Sequence, residues 1–210
     1  MWLVNLICGP ISVNTYLVGE DGGTDCAVID PGVAGPVLEY LQEHGLTCTH
    51  ILITHGHYDH IGGVGELRKA TGALVCIHEA DAPALRSSQK SLALMLGSHM
   101  EPVDADVLLH DGDTLDAAGL HFTVLHTPGH SPGGVCYILE KERVIFCGDT
   151  VFAESYGRTD FPGCSFEELQ DSILNKLFLL EGDYQMYPGH DESTTLTHER
   201  QCNPMRNDKY

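Results

Sequence analysis

The chain is short of positive charge. Of its 210 residues only 11 are lysine or arginine, against 30 aspartate or glutamate, and the formal net charge is −19 with histidine neutral. A surface of that sign repels nucleic-acid phosphates, and no basic patch interrupts it, so nucleic acid is excluded as an expected partner. Long apolar runs are lacking as well. No stretch approaches the roughly 18 residues that a membrane span needs. The apolar start at 1–8 is too short and has no basic residue ahead of it, as a signal peptide would. A cytoplasmic chain without a membrane partner is expected. Cysteine is not scarce, at eight residues, but no Cys-x-x-Cys occurs and the spacings are wide. Cys26, Cys76, Cys136 and Cys147 stand in apolar runs and read as buried reduced thiols. With no repeats, low-complexity tracts or long linkers, residues 1–210 read as one domain with room for a substantial core.

What the chain has instead is Thr54-His55-Gly56-His57-Tyr58-Asp59-His60, directly after the apolar run His50-Ile51-Leu52-Ile53. A buried strand that ends in a Gly-containing turn can aim several short side chains at one point. Imidazole nitrogen and carboxylate oxygen suit Zn(II), Fe(II) and Mn(II). Gly56 and the β-branched run before it speak against a helix here. Three more strand-like runs end the same way, in a small or turn residue and then a potential ligand: His130 after Pro128-Gly129, Asp149 after Gly148, and His190 after Pro188-Gly189. Strand ends in a layered α/β protein share one edge, where sites usually form.

Strand-like runs fall at 2–7, 14–18, 26–29, 51–54, 74–77, 121–126, 135–139, 144–147 and 185–187. Helix-like runs fall at 36–44, 63–71, 79–85, 166–180 and 194–201. Phe166, Leu169, Ile173, Leu174, Leu177 and Leu180 repeat at helical spacing and predict one core-facing helix. The order of elements fits two sheets packed face to face with helices outside, an α/β fold. Residues 80–102 are the least regular, and Leu92, Leu94, Met95 and Leu96 suggest a short helix or lid over the site.

The chain resembles the metallo-β-lactamase-fold hydrolases, and within them the glyoxalase II (hydroxyacylglutathione hydrolase) branch. The resemblance rests on Asp30-Pro31-Gly32, on Thr54 to His60 with Ile61-Gly62-Gly63, on Thr127-Pro128-Gly129-His130, on Gly148-Asp149-Thr150, on Gly157-Arg158-Thr159-Asp160 and on Tyr187-Pro188-Gly189-His190. It implies a single-domain, four-layer αββα sandwich with two divalent ions, zinc before iron or manganese. His55, His57 and His130 would hold one metal; Asp59, His60 and His190 the other; Asp149 would bridge them. Class B1 β-lactamases lack the last His of the first motif and place Cys at the second metal. His60 and Asp149 therefore point to a hydroxyacylglutathione hydrolase-like site. Full-length glyoxalase II enzymes add a C-terminal helical domain whose basic residues help bind glutathione. This chain ends twenty residues after His190, with Arg200, Arg206 and Lys209 as the bases of that tail, so the short branch of the family is expected.

Two metals about 3.5–4 Å apart share a water and lower its pKa toward neutrality. The implied reaction is attack of a metal-bridging hydroxide on a thioester such as S-lactoylglutathione, with Asp59 and Asp149 as the catalytic carboxylates. A thiol of pKa about 8.5 leaves without a dedicated acid. Asp30, His126, Thr127 and Thr150 are candidates to orient the imidazoles. Arg158 is read as pairing with Asp160, ahead of a substrate carboxylate. Two alternatives stay open: a lactonase or other esterase, and a mono-iron persulfide dioxygenase, which shares the Gly-Arg-Thr-Asp-Phe segment and would use His57, His130 and Asp149. The expected partner is a small-molecule thioester or ester; oligomeric state is left open.

Overall fold

Apolar residues face both sides of the central strands, and that pattern explains the layers. The computed structural model describes residues 1–206, so Lys209 lies outside the described part. Six strands form the first sheet in sequential order: β1 (Trp2–Cys8), β2 (Val13–Gly19), β3 (Asp25–Ile29), β4 (Thr47–Leu52), β5 (Leu74–His78) and β6 (Val107–Leu109). The second sheet comprises β7 (Thr114–Ala117), β8 (Leu120–His126), β9 (Val135–Leu139), β10 (Val144–Gly148), β13 (Gln185–Pro188) and β14 (Thr194–Thr195), in the order β14-β13-β10-β9-β8-β7. A hairpin of β11 (Val151–Phe152) and β12 (Ser155–Tyr156) stands apart.

Three clusters of buried side chains separate four layers. Along β3, Ala27 and Ile29 turn toward Phe122, Val124, Tyr137 and Phe146 of the second sheet. Cys26 and Val28, one residue out of phase, turn toward helices α1 (Ala34–His44) and α3 (Val64–Thr71). The far face of the second sheet, Ile138, Ile145 and Met186, packs on Leu169 and Ile173 of α4 (Phe166–Asn175) and Leu196 of α5 (Leu196–Cys202). The fold is the expected αββα sandwich.

Local departures have physical causes. The helix expected over 166–180 starts where the sequence places it, capped by Ser165, which accepts from the Glu168 N–H. It stops at Asn175, and a 3-10 turn Leu177–Leu179 carries Leu177 back into the core. The 79–85 segment is also a 3-10 helix, Ala82–Arg86, with Pro83 in its first turn. Residues 53 and 54 lie beyond the end of β4. Strands β6, β7, β11, β12 and β14 were not expected. Each has two to four residues, too few for a period-2 signal. All eight cysteines are free and six are buried.

Candidate metal centre

Five parallel-running strand ends supply the site. β3 and β4 are parallel neighbours in one sheet, and β10 and β13 in the other. β8 runs with β10 because both pair antiparallel with β9. Their C-terminal ends present Asp30, His55 with His57, His130, Asp149 and His190 to one edge. Asp59 and His60 arrive differently. Contrary to expectation, Tyr58–Ile61 forms one helical turn, α2. Ile61 anchors it in the core under the first sheet, and the Tyr58 N–H donates to the Ser91 carbonyl at 2.8 Å. The turn brings Asp59 and His60 round beside His190.

The seven candidates assemble into two groups that share Asp149. His55, His57 and His130 bring ligand atoms within 4.8 Å of one another, as do Asp59, His60 and His190. The Nδ1 of His57 lies 2.9 Å from Nε2 of His130. Asp59 Oδ2 is 3.1 Å from His190 Nε2 and 3.2 Å from His60 Nε2. Asp149 sits between the groups: Oδ2 is 3.4 Å from His130 Nε2, and Oδ1 is 3.4 Å from His60 Nε2. Two glycines make the approach possible. A Cβ on Gly189 would overlap the Asp149 carboxylate and the His60 ring. Gly148 has φ +48° and lies against Thr54, so it has neither the conformation nor the space for a side chain.

Electrostatics divide the imidazoles. Burial pushes His55 well down, and neighbouring imidazoles push it further. Burial and His130 bring His57 down to about 3. His60 goes the other way: burial opposes its charge, but the carboxylates of Asp59, Asp149 and Asp30 hold it well above the usual histidine range. His190 is raised despite its burial, by Asp59 and Asp149. Burial would raise Asp59, yet His60 and His190 hold it below the usual carboxylate range. A cation bound here replaces protons on histidine nitrogens.

Hydrogen bonds fix which nitrogen of His55, His60 and His130 faces the centre. Asp30 Oδ1 accepts from the Thr54 N–H at 2.8 Å, and Oδ2 accepts from the Thr54 hydroxyl at 2.6 Å and from His60 Nδ1 at 3.0 Å. The Thr54 oxygen, its own hydrogen committed, accepts from His55 Nδ1 at 3.1 Å. One carboxylate thus sets the tautomers of His55 and His60. His130 Nδ1 donates to the Arg158 carbonyl at 2.8 Å, which leaves Nε2 for the centre. Among the described residues, buried His55 Nε2, His60 Nε2 and Asp149 Oδ1 have no hydrogen-bond partner. Orphaned buried polar atoms are costly, and three of them aimed at one point in an N/O donor set fit a pair of divalent cations.

The remaining candidates are placed as follows. The Arg158 side chain makes a bidentate pair with Asp160, 2.7 Å at both contacts, so the expected ion pair forms. The residue reaches His130 through its carbonyl instead. The Thr150 hydroxyl lies 3.0 Å from the Thr127 hydroxyl and braces the loop ahead of His130. His126 does not orient a ligand: its ring stacks on His78 with centroids 4.0 Å apart, and its Nε2 donates to the Pro132 carbonyl at 3.0 Å. Burial keeps the Cys147 thiol well above its ordinary range, and it donates to the Val151 carbonyl, so it is no reactive neighbour of the site.

Sequence reasoning missed Asp81. Its buried carboxylate accepts from the Gly56 N–H and the Gly133 N–H, both at 2.8 Å, and ties the loop bearing His55 and His57 to the loop bearing His130. Asp81→Ala leaves two buried N–H groups unpaired. We expect unfolding free energy to fall by about 2–4 kcal/mol and affinity at the three-histidine group to fall about tenfold. Thermal unfolding and chelator competition check this; wild-type values for both would remove Asp81 from the site's support.

Residues 8–190 match the Metallo-beta-lactamase superfamily. Hydroxyacylglutathione hydrolase GloC of Haemophilus influenzae is 34% identical over 201 residues, covering 93% of each chain. Probable metallo-hydrolase YqgX of Bacillus subtilis is 34% identical over 201 residues, 95% of this chain and 94% of that one. Among solved structures, BLEG-1 B3 metallo-beta-lactamase is similar with a TM-score of 0.91 at 34% identity, covering 97% of this chain and 98% of that one. The di-iron-bound form of TTHA1623 reaches 0.83 at 35%, over 96% and 98%. ETHE1 from Myxococcus xanthus reaches 0.79 at 32%, over 97% and 84%.

Proposed function

The chain belongs to the metallo-beta-lactamase superfamily, and from that premise we propose that it is a two-metal hydrolase of thioesters, with S-lactoylglutathione as the reference substrate. The observation that carries the reading is the pair of donor groups sharing Asp149, with orphaned nitrogens and an orphaned oxygen turned inward. Bound divalent cations, zinc in this reading, would supply an activated water at neutral pH and a Lewis acid for the carbonyl oxygen. His55, His57 and His130 would hold one, and Asp59, His60 and His190 the other. Asp149 would serve both, with Oδ1 toward His60 and Oδ2 toward His130 and, at 3.8 Å, His190. Asp30, Thr54 and the Arg158 carbonyl hold the ring protons on the outer nitrogens. A thioester suits this site, because a thiol of pKa about 8.5 can leave as thiolate without a dedicated proton donor. The likeness to GloC supports the glutathione thioester as the first compound to assay.

A second reading is favoured by two observations. The segment Gly157-Arg158-Thr159-Asp160-Phe161 and the likeness to ETHE1 suit a mono-iron persulfide dioxygenase built on His57, His130 and Asp149. Metal number separates the two; metal identity does not, since TTHA1623 is described in a di-iron-bound form. Elemental analysis of untagged protein should give about two divalent ions per chain. Chelation should abolish thioester hydrolysis, and Zn(II) should restore it. One iron per chain, with oxygen consumed in the presence of glutathione persulfide, would establish the second reading. Hydrolysis that survives complete metal removal would defeat both. Nitrocefin, a β-lactam, belongs in the panel as a counter-substrate because of BLEG-1.

A further inference from the structure

The donor groups open into a cavity of about 660 Å³. That volume suits a small organic molecule. Its walls are apolar from the centre outward. The Phe161 ring meets His57 edge-on at 5.8 Å, and the Phe152 ring meets His190 at 6.3 Å. Further out lie Ile11, Met95 and Leu96, which are 45%, 65% and 46% exposed. Large apolar side chains left this open around a polar centre are surface without a partner.

Charge in the same cavity runs against an anion. Arg158 is the one lysine or arginine among the lining residues, and its guanidinium is committed twice: to Asp160 at 2.7 Å in both contacts, and to the Phe161 ring with its carbon 4.0 Å from the centroid. Asp191 also lines the cavity. Glutathione carries two carboxylates, and among the described residues no uncommitted arginine or lysine lines the wall to receive them.

We propose that the site selects an uncharged thioester whose acyl chain of several carbons lies against the apolar wall made by Ile11, Met95, Leu96, Phe152 and Phe161. The proposal rests on the hydrolase reading and narrows it. In the reaction the C–S bond breaks, the hydroxyl of water joins the carbonyl carbon, and the remaining proton goes to the departing thiolate. Products are a carboxylic acid and a neutral thiol; no oxidant or reductant is needed.

The test is a chain-length series, acetyl to octanoyl, on the uncharged thiol N-acetylcysteamine, assayed with metal-loaded enzyme. Burying one methylene is worth about a two- to fourfold gain. We expect kcat/KM to rise by that factor per carbon until the wall is covered, and lactoyl-N-acetylcysteamine to outrun S-lactoylglutathione. Met95→Ser should flatten the series. Asp160→Asn, which frees Arg158, should raise use of the glutathione thioester relative to the neutral one. A flat series together with preference for the glutathione thioester would overturn the proposal and leave the hydrolase reading standing. Non-hydrolysable thioether analogues of the same lengths, titrated calorimetrically, separate the two further. Affinity that climbs with each carbon supports the apolar wall even where no thioester turns over, and affinity independent of length rejects it.

Discussion

Asp59→Ala should lose one of two bound metals and about a thousandfold in kcat/KM, while the fold stays intact. Asp59 is the carboxylate of its donor group, 3.1 Å from His190 Nε2 and 3.2 Å from His60 Nε2. Burial works to protonate it, but those two rings hold its pKa low, so it is charged at neutral pH. Alanine leaves two imidazoles and takes away the anionic oxygen donor between them, so a dication loses one ligand and one compensating negative charge at that group. The three-histidine group is untouched and keeps its ion. Removing Lewis-acid stabilisation worth several kcal/mol corresponds to about three decades in rate. The same variant separates the two readings of function. A mono-iron dioxygenase bound by His57, His130 and Asp149 would keep its iron, and oxygen consumption would persist. Elemental analysis and thermal unfolding decide the matter. Two full equivalents in the folded variant would count against the two-metal site.

The position of the site was legible because its ligands follow a regular local rule. Asp149 and His190 each stand one residue past a glycine at the end of an apolar strand. The glycine is needed because, as at Gly189, a Cβ would occupy the space between Asp149 and His60. That requirement is local and leaves a trace in sequence. Asp59 and His60 were legible as ligands but not as helix, since one turn is shorter than any periodicity signal. Ile61, the apolar residue that anchors that turn, is visible only once its burial is known.

What supports the ligands was far less legible. Asp81 lies 25 residues from Gly56 and 52 from Gly133, and its role depends on both loops folding over it. Nothing in its neighbourhood of sequence announces that. Arg158 acts on His130 through a backbone carbonyl, which any residue would supply. His126 misled for the opposite reason. It stands between a strand and a turn just as a ligand would, yet its ring points to His78. Part of the apolar cavity wall was legible: Met95 and Leu96, expected as a short helix or lid over the site, stand in a 3-10 helix, Ala93–Leu96, that lines the cavity. Ile11, Phe152 and Phe161 were hidden because they come from the β1–β2 turn, the β11–β12 hairpin and the loop after it.

Asp30→Asn should cost on the order of a hundredfold in metal affinity, from a change of one oxygen to one nitrogen. Asp30 sits at φ +51°, a left-handed conformation that asparagine also tolerates, so the backbone need not move. The amide oxygen can keep the Thr54 N–H, now held at 2.8 Å by Oδ1. The NH2 then occupies the place of Oδ2, which today accepts from the Thr54 hydroxyl and from His60 Nδ1. A donor there cannot accept from His60, whose neutral proton must move to Nε2, the atom that faces Asp59 and Asp149. The same NH2 donates to the Thr54 oxygen and turns the Thr54 hydrogen toward His55 Nδ1. His55 must then carry its proton on Nε2 as well. Both rings would present N–H where the cations need a lone pair. Flipping the amide restores those acceptors but sets the NH2 against the Thr54 N–H, a buried unpaired donor worth about 1–3 kcal/mol. Chelator competition at neutral pH measures the affinity, and thermal unfolding of the metal-free protein measures the strain. Two metals bound with wild-type affinity in Asp30→Asn would show that the carboxylate does not set the tautomers of His55 and His60.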